Sequence, residues 1–259
     1  MRKHLNWQYL SNQFDAVTKN SYPKLDVLAK DHLTKLDNRR SSNQQVDQLY
    51  LGFQQAYQIF SAAYNAWQNS EDVYNSLTAQ LDALLEQLSS EKLEDWRLEI
   101  QRFYRRHTIE YKRLFFNGGT DAFHRGKKDL RIRRVKRLAQ SLATDSNFGT
   151  LHAEVMQFYN DLEAARTAQQ KQEQEVQHLA TQLRGARERV VKLMHRNLGM
   201  LLYVHWENLE DVLNYFQMDL IRNTTSSNSI ISGFREIVTP EGQESDSVVG
   251  SDESPNSDC

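Results

Sequence analysis

The chain has 259 residues, of which 39% are apolar and 25% charged, with ten glycines, three prolines and a formal net charge of −2. That length can bury a sizeable core, and so few helix breakers point to long helices. No stretch approaches the roughly 18 apolar residues that a bilayer span needs, and the opening MRKHLNWQYL has no apolar run behind its basic groups, so neither a transmembrane nor a secreted protein is expected.

Trp7, Leu10, Phe14 and Val17 recur at spacings of three and four, which predicts a short amphipathic helix over residues 3–19, punctuated by Asn20, Ser21 and Pro23. A second short helix is predicted from Leu25 through Leu28 and Leu36, with a polar break from Asn38 to Asn43. Val46, Tyr50, Phe53, Tyr57, Phe60, Tyr64, Trp67, Tyr74, Leu81, Leu85 and Leu88 then fall on alternating four- and three-residue steps, interrupted by Glu71 and Thr78. Such a stripe is what a helix buries against a partner that it wraps. Its aromatic first half fills a wider gap than Leu or Ile would, which favours a globular bundle over a slim rod.

Ser89, Ser90 and Glu91 read as a stop and restart, followed by a helix through Leu93, Trp96, Ile100, Phe103 and Leu114 that reaches about Phe116. Asn117, Gly118 and Gly119 break the chain, and a loop runs through Gly126. Ile132, Val135, Leu138, Ala139 and Leu142 gather on one face of the next helix, with Arg133, Arg134, Lys136 and Arg137 on the other. The heptad returns through Leu151, Val155, Phe158, Leu162, Ala165, Val176, Leu179, Leu183, Ala186, Val190 and Leu193, with Gln169 and Gln172 as its weak middle. Both heptad runs, 46–88 and 151–193, cover 43 residues, which invites antiparallel pairing. Helix is predicted onward through Trp206, Leu209, Val212, Leu213 and Phe216 in a shifted register, with a stutter at Asn197 to Gly199 and a buried core turn from Leu198 to Val204.

After Arg222 the chain turns polar, and from Glu236 onward it carries seven acids and no Lys or Arg, a composition that cannot offset its ordering entropy. The expected fold is therefore all-α: an elongated helical bundle with long antiparallel coiled-coil helices and a disordered C-terminal tail. Residues 1–40 hold the short N-terminal helices, 41–222 the long bundle, and 223–259 the acidic, serine-rich tail.

Catalytic and metal chemistry have little to stand on. Cys259 is the single cysteine, which excludes an intramolecular disulfide or redox pair, suits a reducing cytoplasmic location, and is not placed as a prenylation box requires. Glu175 and His178 make one Glu-x-x-His match, where a di-iron bundle would need two, and their surroundings are Gln-rich. Gly118, Gly119 and Gly126 before Lys127 have the wrong spacing for a phosphate loop, and Lys128 stands where Ser or Thr would bind magnesium. His195 and His205 flank an apolar turn without partnered groups, so they read as partly buried polar residues. No catalytic residue, metal ligand or cofactor is expected.

Charge is the anomaly. From Arg102 to Arg137 there are thirteen Lys or Arg against Glu110, Asp121 and Asp129, a net +10 in a chain whose remainder is −12. Phe103, Tyr104, Tyr111, Phe115, Phe116 and Phe123 are interleaved with the cations and could stack on bases or fill a core. One reading is a solvated face neutralised by acids on neighbouring helices. The other is a docking face for a polyanion or an acidic protein, built on Arg125, Lys127, Lys128, Arg133, Arg134, Lys136 and Arg137.

The stretch FFNGGTDAFHRGKKDLRIRRVKRLAQSL, with FYNDLEAARTAQQ beyond it, resembles a pattern in uncharacterised bacterial all-helical proteins, in which an Asn-Gly turn, a Phe and a Gly lead into a helix. The resemblance spans about a quarter of the chain. It implies a bacterial protein of unknown role and assigns no residue a function.

The leading expectation is a non-enzymatic scaffold that binds other proteins or itself through helical surfaces. The alternative is a nucleic-acid or anionic-surface binder working through residues 102–137, and a membrane-active helical protein comes third. Removing residues 224–259 should leave helicity and melting temperature unchanged, because an unpaired acidic segment contributes no packed surface. A drop of several degrees on truncation would show that the tail packs.

Overall fold

A computed structural model describes residues 13–18, 21–115 and 119–217. Trp7, Leu10, Phe116, Asn117, Gly118 and the tail predicted for 223–259 lie outside the described residues. Every regular element among the described residues is helical: α1 (Gln13–Thr18), α2 (Tyr22–Asp37), α3 (Gln44–Gln87), α4 (Leu93–Phe103), α5 (Ile109–Leu114), α6 (Asp121–His124), α7 (Lys128–Leu142), α8 (Gly149–Val204) and α9 (Glu210–Leu213). They form two compact units, one from the chain up to Tyr57 and from Glu188 onward, the other from Gln58 to Arg187.

In the first unit, Ser21 caps α2 by accepting from the Lys24 N–H, and Pro23 sits in the first turn where its missing N–H costs nothing. One stripe of α2, Leu25, Leu28, Ala29, His32 and Leu36, is buried. It belongs to a core shared with Phe14, with Val46, Leu49, Tyr50, Phe53 and Ala56 of α3, and with Val190, Val191, Met194 and Leu201 of α8. Helix α8 ends at Val204 instead of continuing through Phe216 as predicted, and a turn at 205–209 leads into α9. That reversal brings Val212, Tyr215 and Phe216 into the core, with the Phe216 ring stacked on His32. The register shift also falls earlier than predicted. Met194 rather than Leu193 is buried, after Ala186 and Val190 in successive four-residue steps, and α8 runs straight through Asn197 to Gly199. The turn from Leu198 to Val204 is amphipathic, with Leu201 inside and Met200 and Tyr203 exposed.

In the second unit, Leu81, Leu85, Leu88, Trp96, Ile100, Val135, Leu138, Phe148, Val155 and Leu162 belong to one continuous core, and the α7 face Ile132, Val135, Leu138, Ala139 and Leu142 is buried as predicted. Rising numbers on one long helical stretch meet falling numbers on the other: Ser70 contacts Gln172, Thr78 contacts Gln169, and Trp96 contacts both Glu154 and Phe158. The pairing is antiparallel and within one chain. Between Phe60 and Leu81 the seam is thinner than its pattern suggests, since Tyr64, Trp67 and Tyr74, like Val176 and Leu179 opposite, are half-buried.

Ser89 and Ser90 do not stop the helix. Residues Leu88–Lys92 make a π-helical turn that joins α3 to α4. A wider turn leaves carbonyls without their usual N–H partners. The hydroxyls of Ser89 and Ser90 bond the Leu85 and Glu86 carbonyls at 3.0 and 2.9 Å, and the Arg131 guanidinium adds a bond to the Leu85 oxygen at 2.7 Å. Helix α4 in turn ends at Phe103 instead of reaching Phe116, because Tyr104 is extended and its hydroxyl donates to Asp145. Thr108 caps the separate α5, which sends Tyr111, Leu114 and Phe115 into the core. The predicted loop through Gly126 contains α6, flanked by Gly119 and Gly126 at φ +61° and +100°, conformations that glycine tolerates.

Phe60→Ala and Leu85→Ala should each lower unfolding stability by about 2–5 kcal/mol, since both side chains are fully enclosed. Val73→Ala, at a half-exposed position, should cost under about 1 kcal/mol. Denaturant titration of the three variants checks both.

Candidate functional site

The basic segment is divided by the fold. Of the seven cations predicted to form a docking face, Arg125, Lys127, Arg133, Lys136 and Arg137 are exposed. Arg125 and Lys127 lie in the connection between α6 and α7, Arg133 Nε reaches the Asp129 carbonyl at 3.3 Å, and the Lys136 ammonium sits 5.3 Å from the Tyr159 ring centre. Lys128 is drawn into an ion pair with Asp82. Arg134 is turned inward, where its Nη1 donates to the carbonyls of Ala122 and Arg125, so the four α7 cations do not form one outward face.

Arg131 carries the local architecture, although the charge pattern alone does not single it out. Its Nε donates to the Phe123 carbonyl at 2.8 Å, and its Nη2 donates to the Leu85 carbonyl and to Ser89 Oγ at 2.7 and 2.8 Å. One side chain thus ties α6, α7 and the π-helical turn together. Partial burial lowers its pKa while Glu86 and Asp82 favour its charge, and a guanidinium stays protonated at any physiological pH. The signal was its position, one turn before Val135 and two before Leu138, on the edge of the apolar stripe.

Neutralisation is incomplete. Arg102 and Lys128 meet the carboxylates of Glu99 and Asp82, whereas Arg134 bonds to carbonyl oxygens, which carry no charge to cancel its own, and Arg131 does so with only the nearby Glu86 and Asp82 as partial offset. Among the described aromatics of the segment, Tyr111, Phe115 and Phe123 are buried and Tyr104 packs on Phe148, whereas Phe103 meets Phe148 edge-on and stays half-exposed. The stacking platform considered from the sequence is therefore reduced, among the described rings, to the half-exposed Phe103.

A second polar cluster lies inside the first unit. His32 is fully enclosed, edge-on to Phe53 and stacked on Phe216 with ring centres 4.9 and 4.4 Å away. Its Nδ1 donates to the Tyr215 carbonyl at 2.8 Å and its Nε2 accepts from the Asn197 amide at 3.2 Å, which only the neutral ring can do. The sequence offered a hint, since His32 sits four residues from both Leu28 and Leu36. His205 contacts the Tyr215 hydroxyl at 3.2 Å, and His195 is half-buried. Glu175 and His178 are exposed, and no group of three potential metal ligands occurs among the described residues. None of the described helices is long and apolar enough to cross a membrane.

Comparison with protein families, curated proteins and solved structures finds none that matches this chain.

Burial lowers the His32 pKa from 6.5 to about 4, opposed by its bond to the Tyr215 carbonyl and aided by the nearby Lys35. An unfolded chain takes up this proton near pH 6.5 and the folded one does so only near pH 4. The associated stability is thus complete above pH 6.5 and is lost as the pH falls toward 4, by up to about 3 kcal/mol. Denaturant unfolding at pH 7 and pH 4.5 should show this loss, and His32→Gln should remove most of the difference.

Proposed function

We propose that this protein is a non-enzymatic coiled-coil scaffold that binds other proteins, or a second copy of itself, through its helical surfaces. The observation that supports this reading is a pair of exposed rings, Tyr203 at 70% and Trp206 at 72%, with Met200 one turn earlier also exposed. Large rings with few rotatable bonds give up much apolar area on docking at small entropic cost, which is why they dominate protein interfaces. The lone cysteine suits a cytoplasmic setting.

A second reading, binding to an anionic partner through residues 102–137, is favoured by the incomplete neutralisation of that segment. Because Tyr111, Phe115 and Phe123 are packed inward, charge more than base stacking would drive recognition, and association would weaken steeply with salt.

One experiment separates the two. The tagged full-length chain is used to capture partners from its host at low and physiological salt, with sedimentation velocity reporting self-association. Tyr203→Ser with Trp206→Ser should abolish salt-resistant association while the circular dichroism stays unchanged. Charge reversal of Arg125, Arg133, Lys136 and Arg137 should abolish salt-sensitive capture alone. Wild-type association in both variants would refute both assignments.

A further inference from the structure

We propose that the tip formed by residues 105–113 docks peripherally on an anionic lipid surface, with Ile109 entering the headgroup layer and Arg105, Arg106, Lys112 and Arg113 lying against lipid phosphates. The proposal rests on the anion-binding reading and names its partner.

Ile109 is 81% exposed, more than any other large apolar side chain among the described residues. As the first residue of α5 it shares a face with Lys112 and Arg113, three and four positions on, and both are exposed. Arg105 and Arg106 are exposed in the turn just before. These four cations against the exposed Glu110 give the tip a net +3 with His107 neutral.

The tip is also held in shape. The Thr108 N–H and hydroxyl both reach the Arg105 carbonyl at 2.9 Å, and Thr108 Oγ1 accepts from the Tyr111 N–H at 3.3 Å. Behind it the Tyr104 hydroxyl donates to Asp145, and the inward face of α5 is buried through Tyr111 and Leu114. An exposed aliphatic side chain is thereby presented on a short, held segment that carries four cations, with Glu94 acting on Arg106 and Asp145 on Arg113, and its ordering cost on docking is small.

Charge alone would suit a nucleic acid or an acidic peptide as well, but Ile109 decides between them. A phosphodiester backbone offers an aliphatic group no apolar environment, and of the nearby rings Tyr111 and Phe115 face the core, while the half-exposed Phe103 is held edge-on against Phe148. The boundary between headgroups and acyl chains takes up an aliphatic side chain and attracts the cations around it. Since none of the described helices can span a bilayer, the association is peripheral.

The full-length chain is sedimented with vesicles of phosphatidylcholine alone and with about one-third phosphatidylglycerol, at low and physiological salt. Binding should favour the anionic vesicles by at least about tenfold, and Ile109→Ser should lose about tenfold of it, as expected for one well-buried aliphatic group. Ile109→Trp should bind more tightly than Ile109→Ser, and joint replacement of Arg105, Arg106, Lys112 and Arg113 by Glu should abolish binding. All these positions are exposed, so circular dichroism should be unchanged. A duplex oligonucleotide and poly-glutamate serve as competing polyanions. If either binds as well as the vesicles do and Ile109→Ser leaves vesicle binding intact, the lipid assignment is wrong while the anion reading survives. If no polyanion or vesicle binds at low salt, both are wrong.

Discussion

Two long helices with a repeating apolar stripe can slide past each other by one heptad and bury nearly the same apolar area, so register has to come from something other than hydrophobicity. In the second unit it comes from amide and hydroxyl groups. Gln172 donates to both the carbonyl and the hydroxyl of Ser70, Gln169 donates to Thr78, and Arg166 joins Gln169 to Asp129 of α7. A slip would leave these enclosed polar groups without partners, and each such loss costs about 1–3 kcal/mol. The remaining packing of the unit depends on that alignment, because the ring of Trp96 meets Phe158, and its N–H meets Glu154, in only one register.

The same economy of polar groups explains the basic segment. Inserting a π-helical turn lets one continuous stretch run from Gln44 to Phe103 while changing the direction of its buried face, but it strands carbonyl oxygens. Arg131 satisfies one of them, and Arg134 bonds the carbonyls of Ala122 within α6 and Arg125 just after it. Carbonyl oxygens do not neutralise a guanidinium, so these structural bonds leave the charge of Arg134 in place, while that of Arg131 is offset in part by Glu86 and Asp82.

In the first unit, burial of a neutral imidazole has a comparable logic. His32 occupies a position on α2 where Leu would continue the stripe, and its two nitrogens instead hold Asn197 of α8 and the carbonyl of Tyr215. The chain after α8 is thereby fastened to α2 through both a hydrogen bond and the Phe216 stack. Specific polar contacts within an apolar core select one arrangement among several of similar burial.

Much of this was legible in the sequence. Helical class, the apolar face of α7 and the two long seams follow from spacing, because burial against any partner requires the same stripe. Even the lapses were informative, since Thr78, Gln169 and Gln172, which break the heptads, include groups that meet across the helix pair. What spacing cannot express is where a helix bends or ends when long-range contacts compete with local continuity. The π-helical turn at Leu88–Lys92, the end of α4 at Phe103 and the reversal after Val204 depend on Arg131, Asp145 and His32, each distant in sequence from the element it shapes. The sorting of the cations has the same origin. Sequence determined how many positive charges the segment carries, whereas the tertiary structure decided which of them meet carbonyls, which meet carboxylates and which face water, because only folding brings distant backbone oxygens within reach.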